Sequence, residues 1–182
     1  MSLPHAILGL LQSEPMTGYD LKTRAFDVSI AHFWPADQAQ IYRTLDKMTD
    51  EGWVESRVEF QQDRPNRKVY SITYAGRAEL RRWLTSPQSL PAYRQPFLIQ
   101  VFFASNLANQ EIASLMEQQL EAHRERLSRY QQISLPPLEQ LMANRERALQ
   151  RLTLDLGIRI EQTAIDWLEM SLAVVNDLKD NR

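Results

Sequence analysis

The 182-residue chain contains no cysteine. That absence excludes disulfides, thiolate metal sites and a cysteine nucleophile, and it fits a cytoplasmic setting. An excess of charge of one sign is also missing, since 21 basic residues face 23 acidic ones for a formal net charge of -2. A protein that held a polyanion or a membrane by overall charge would be strongly basic, so any cationic function must be local. No stretch approaches the roughly 18 apolar residues that span a bilayer. The opening "MSLPHAILGLLQSEPMTGYDL" has neither the basic segment nor the long apolar core of a signal peptide. These absences predict a soluble intracellular protein with no membrane partner.

Catalytic and metal motifs are missing as well. There is no GxSxG elbow, P-loop, GxGxxG turn or recognisable pair of carboxylates, and His5, His32 and His123 are scattered without a ligand spacing such as HxxxH. No enzyme, metal or cofactor is expected. His123 falls in an apolar seam, where a hydrogen-bonded core histidine is the common outcome.

What is present is an ordinary folding composition, 43% hydrophobic and 24% charged. Ala6, Ile7, Leu10 and Leu11 recur at helical spacing until Ser13-Glu14-Pro15, giving a first helix. Thr17 and Gly18 open a shorter one, with Leu21, Ala25 and Phe26 inward, ending in the loop around Ser29 to Pro35. "ADQAQIYRTLDKMTDEGWV" is a third helix with Ile41, Leu45 and Met48 on one face, stopped by Gly52 in a left-handed conformation. Two strands, Val54 to Gln61 and Lys68 to Thr73, flank "QDRPNR", whose Asp, Pro and Asn are turn residues. "YAGRAELRRWL" resumes a helix through Ala78, Leu80, Trp83 and Leu84. "TSPQSLPAYRQP" then breaks it with three prolines. The domain boundary falls there, giving domains 1–88 and 89–182.

The second domain is helical. Phe97 to Ala104 is strongly apolar, and a long helix from Asn109 repeats Met116, Leu120, His123, Leu127 and Tyr130 at intervals of four and three. Another helical region, from Leu138 to near Asp180, repeats Ile160, Ala164, Trp167, Ser171, Val174 and Leu178. Such seams require a partner helix. A second copy of the chain would supply one, making Met116, Leu120, Leu127, Tyr130, Trp167, Val174 and Leu178 dimerisation residues. An antiparallel pair within one chain would supply one too.

The order helix, helix, helix, strand, strand, helix is that of a winged helix-turn-helix, so the fold class is mainly α with a two-stranded β-wing and a long-helix domain behind it. The third helix would enter a DNA major groove. Opposite Ile41 and Leu45 it carries Ala36, Ala39, Arg43 and Lys47, with Gln40 at the margin. Arginine and lysine bond guanine O6 and N7, and glutamine bonds adenine N6 and N7. Asp46 and Asp50 would repel phosphate, which puts the helix's N-terminal half deepest in the groove. Arg64, Arg67 and Lys68 on the wing would meet phosphates or a minor groove, with Pro65 stiffening the tip. The plain alternatives are a solvated helix face and a hairpin charged for solubility.

Three segments, "ILGLLQSEPMTGYDL", "QIYRTLDKMTDEGWVES" and "RPNRKVYSITYAGRAELRRWL", resemble the PadR family of transcriptional regulators across nearly the whole first domain. Gly18, Tyr19 and Leu21 match that family's second-helix element, and Ile41 and Tyr42 its third. Arg43 stands where many members have proline, which resembles the branch with the larger, Vir-type helical C-terminal domain. The resemblance implies a homodimeric repressor of a nearby promoter that binds a palindromic operator in double-stranded DNA. Its recognition helix would use Ala39, Gln40, Tyr42, Arg43 and Lys47. In some members a small phenolic or drug-like ligand releases the DNA, and Trp34, Trp53, Trp83 and Trp167 are rings that could line an aromatic pocket. The junction of the domains, near helix one and the Phe33-Trp34 loop, is the expected place. A different class stays open: a winged-helix protein interaction module that never meets DNA, permitted by eleven basic and eleven acidic residues in positions 1–85.

Overall fold

The computed structural model describes residues 2–60, 66–92 and 94–179 and divides the chain into two compact units, Met1–Leu90 and Pro91–Arg182. The wing tip, Arg64 and Pro65 included, lies outside the described residues.

In the first unit, α1 (Leu3–Leu11) begins with Pro4, whose fixed φ suits a first turn, and buries Ile7, Leu8 and Leu11. A strand not foreseen from the sequence, β1 (Met16–Thr17), follows it. Thr17 then caps α2 (Gly18–Asp20), its hydroxyl accepting from the Asp20 amide. The chain continues as a π-helix over Leu21–Ile30. Leu21 and Phe26 are five residues apart and both fully buried, an interval that suits the wider π turn and not an α turn.

α3 (Gln38–Asp50) starts two residues later than the sequence pattern suggests. Asp37 and Gln40 close a capping box there, Gln40 N–H to Asp37 Oδ1 at 2.7 Å and Asp37 N–H to Gln40 Oε1 at 3.2 Å. Ala36 is thereby left outside the helix and buried in the core, not on the outer face. Gly52, at φ 71°, ends α3 as expected, and the Trp53 N–H reaches back to the Met48 carbonyl at 2.9 Å.

β2 (Val54–Glu59) and β3 (Arg67–Ile72) form the hairpin in antiparallel register, with Val54 opposite Ile72 and Glu59 opposite Arg67. β1 adds to the other edge of β3, with Thr17 opposite Val69, so the sheet has three strands in the order β1-β3-β2. The two-stranded expectation missed β1 because two residues carry no alternation. α4 (Tyr74–Leu84) turns Gly76, Leu80 and Trp83 inward and leaves Ala78 and Leu84 exposed. A Cβ on Gly76 would lie 2.1 Å from the Trp53 carbonyl oxygen, so only glycine lets α4 lie this close to the end of α3. His5 joins α1 to α4: its Nε2 is 2.9 Å from Glu79 Oε1, and its ring stacks on Trp83 at 4.6 Å. Hydrogen bonds from Arg82 and His5 hold the Glu79 carboxyl at about 2, well below the usual range.

The second unit contains α5 (Pro96–Phe103), a 3₁₀ turn at Ala104–Asn106, α6 (Asn109–Gln131), a single turn α7 (Leu138–Leu141) and α8 (Arg145–Asp177). α8 is a separate helix because Met142 to Asn144 interrupt the region predicted as one, and Asn144 caps it through the Arg147 N–H. α6 and α8 form an extensive pair. Ile112, Met116, Leu120 and Leu127 of α6 meet Ile165, Leu168 and Val175 of α8. Met116, Leu120 and Leu127 are thus buried inside one chain, which corrects their reading as dimer contacts. The buried face of α8 runs through Leu154, Glu161, Ile165, Leu168 and Val175, one residue beyond the seam read from the sequence. Of that seam, Ile160, Val174 and Leu178 are more than half exposed.

Candidate nucleic-acid interface

α3 is fixed from below by Ile41, Leu45 and Met48, each fully buried. Its outer side therefore presents Ala39, Gln40, Tyr42, Arg43 and Lys47 to solvent. Gln40, Arg43, Thr44 and Lys47 share a shallow concavity of about 480 Å³ with Trp34, Pro35 and Leu3. Thr44, Trp34 and Leu3 were not foreseen in it; a wheel of α3 alone gives Thr44, but not what loop and α1 bring beside it. Gln40 is partly committed, because its Oε1 serves the capping box, leaving its amide NH₂ to face outward. Tyr42 has a structural duty besides exposure. Its ring covers Gly18, where an added Cβ would stand 2.6 Å from ring carbons, so the pair sets how closely α2 meets α3.

The two described wing cations do not stand free. Arg67 Nη2 donates to Asp20 Oδ2 at 2.9 Å, and Lys68 Nζ lies 4.0 Å from Asp46 Oδ1 and 5.1 Å from the Tyr70 ring centre. Asp20 also accepts the Thr17 hydroxyl at 2.7 Å and has Arg24 at 3.8 Å. The Thr17 hydrogen bond, helped by Arg67 and Arg24 and opposed by burial, holds the Asp20 carboxyl below its ordinary range. The sequence marked Thr17 and Gly18 as the opening of a helix, but nothing in it announced that Asp20 would have a partner 47 residues away.

The second unit has a larger hollow, about 740 Å³, bordered by α5, α6 and α8. Phe97 and Trp167 meet edge to face in its wall at 6.3 Å, joined by Leu98, Leu156, Ile160 and Leu168. The polar groups are Gln95, Gln119, His123, Arg159 and Thr163. His123 Nδ1 is 2.5 Å from Glu161 Oε2, and Glu161, itself 4% exposed, also receives Arg126 at 3.4 Å. Among the described residues, no carboxylate pairs with the Arg159 guanidinium. Of the four tryptophans, Trp167 alone belongs to this hollow; Trp53 and Trp83 pack around His5, and Trp34 borders the α3 concavity.

Comparison with known proteins gives two family matches that divide the chain as the fold does. Residues 7–82 match the PadR-like family of transcriptional regulators, and residues 93–176 match the C-terminal domain of virulence activator alpha. The negative transcriptional regulator PadR of Bacillus subtilis is 34% identical, over 96% of this chain and 97% of that protein. The crystal structure of Bacillus subtilis PadR with operator DNA superposes at a TM-score of 0.83 and 33% identity, covering 96% of this chain and 99% of the other. The same regulator with p-coumaric acid superposes at 0.76 and 32% identity, covering 97% and 100%.

Proposed function

Since the chain belongs to the PadR-like family of transcriptional regulators, we propose that it is a DNA-binding repressor of a nearby promoter, acting in the cytoplasm and released by a small aromatic acid. The observation that carries this reading is the outer face of α3, where Arg43 and Lys47 stand exposed beside Gln40 above a fully buried inner face. A groove-width helix with one anchored side and one cationic side is what reading base edges requires. Arg64, outside the described residues, and Lys68 are assigned to the phosphate backbone.

The reading includes a homodimer. Beyond the intrachain seam, α8 exposes Leu156, Ile160, Val174 and Leu178, and α5 exposes Ile99, Phe102 and Phe103. So much exposed apolar surface is uncommon on a monomer, and a second copy covering it would set two recognition helices against a palindromic operator whose half-sites lie about 34 Å apart. Val174, Leu178 and Trp167 remain dimer candidates on this account, and half-buried Tyr130, near the far end of α6, is a fourth. The effector would occupy the hollow bordered by α5, α6 and α8, its ring against Phe97 and Trp167 and its carboxylate toward Arg159.

A gel-shift titration against the DNA upstream of the protein's own gene tests the core of this. Binding should be selective over random duplex and fall with log salt at a slope of about -5 to -7, as neutralising six to eight phosphates requires. Arg43→Ala should cost about 1–3 kcal/mol and relax one operator position. No binding to either DNA favours the protein interaction module instead, whereas equal binding to every sequence, or a flat salt response, overturns the operator-specific reading.

A further inference from the structure

The wing cation Arg67 has an internal partner, and its placement determines what that partner does. Asp20 sits at the last residue of α2, three residues past the β1 strand that pairs with β3. Its carboxylate is only 15% exposed and is already engaged by Thr17 when Arg67, 45% exposed, reaches it from the neighbouring strand. Arg67 is thus bonded to an anion that cannot follow it into solvent. Charge-assisted bonds of this kind are stronger than neutral ones, and a phosphate competing for Arg67 would leave a poorly hydrated carboxylate with only Thr17 and the more exposed Arg24, at 3.8 Å, beside a second negative charge.

We propose that Asp20 is a specificity-determining positioning residue: it stands in for a phosphate, fixes the base of the wing against α2, and withholds Arg67 from DNA of arbitrary sequence. This rests on the DNA-binding reading above. Counterion release rewards every cation that reaches a phosphate, whatever the sequence, so a free Arg67 would strengthen indiscriminate binding. With the cation tethered, the contacts of α3 carry a larger share of the affinity. Arg67 is then no ordinary phosphate contact, in contrast to its reading from the sequence.

Asp20→Asn is the informative change, because asparagine keeps the shape and can still accept the Thr17 hydroxyl while losing the charge. Two duplexes serve as probes: one enriched by the wild-type protein from a randomised library, and sonicated DNA of mixed sequence. In the variant, affinity for mixed DNA should rise on the order of fivefold, and its salt dependence should steepen by about 0.9 per chain, one further phosphate. Affinity for the enriched duplex should rise less, since a wing no longer fixed against α2 disturbs the α3 contacts that only that duplex rewards, so discrimination falls. Arg67→Met alone should leave the slope on mixed DNA unchanged, and D20N with R67M should lose the gain; both are read beside the melting temperature as a check on folding. An unchanged slope in the asparagine variant overturns the inference, as does a gain that persists without Arg67. Wild-type protein that binds neither duplex overturns the DNA-binding reading itself.

Discussion

In the first unit thirteen buried residues, from Ile7 to Leu80, close a single core around which α1, α3, α4 and the sheet are arranged. In the second unit, α6 and α8 bury one face against each other, while α5 buries no residue at all and α8 exposes a second apolar stripe. The difference follows from shape. Helices crossing in several directions with a sheet can enclose apolar side chains on all sides, whereas two long paired helices can only bury the seam between them. Stability in the first unit is therefore self-contained, and in the second it is open to whatever lies on the outer stripe.

That comparison breaks first at the core. Leu45→Ala, at a fully buried position of α3, should cost about 2–5 kcal/mol, read as a lowered urea midpoint with unchanged slope. If the loss were no larger than for an outer-stripe residue such as Leu156, the first core would not be closed as described. Gly76→Ala, with backbone 2.1 Å from the new methyl, should follow at about 1–3 kcal/mol by thermal unfolding.

Replacing both Ile160 and Val174 by aspartate sharpens the contrast from the other side. If the proposed dimer forms through this stripe, sedimentation should show dimer for the parent and monomer for the variant, while far-ultraviolet circular dichroism keeps its helical signal, because both residues lie off the α6–α8 seam. Loss of helix in the monomer would mean that the stripe stabilises the unit itself. The smallest effect is a pH dependence. Glu79 has its carboxyl lowered from 4.5 to about 2, so the stability it adds is present above pH 4.5 and lost as pH falls toward 2. Glu79→Gln should flatten that part of the acid-unfolding curve, so the two proteins differ most near neutral pH and converge as pH falls toward 2.

How much of this was legible in the sequence depended on range. Ile41, Leu45 and Met48 announced the inner face of α3, and Gly52 its end, because helical period and a left-handed cap are local signals. The seam on α6 was also legible, at Met116, Leu120 and Leu127. Its partner was not, since a heptad spacing looks the same whether the opposing helix comes from the same chain or another. On α8 two apolar stripes lie side by side, and the periodicity of Ile160, Trp167 and Val174 concealed the deeper one at Ile165, Leu168 and Val175. In the site, Arg43 and Lys47 were visible from the wheel. The bond from Arg67 to Asp20 spans 47 positions and depends on β1, which has too few residues to show a pattern.

The join between α3 and the wing is very short. Asp50 ends the helix, Gly52 turns the chain, and Val54 already belongs to β2, with Trp53 bonded back to Met48 and receiving the Thr73 N–H. Such a joint has no slack, so torque applied to α3 passes directly into the hairpin. Whatever tilts one tilts both, so under the proposed function base edges and sugar-phosphate rails would be released in a single movement.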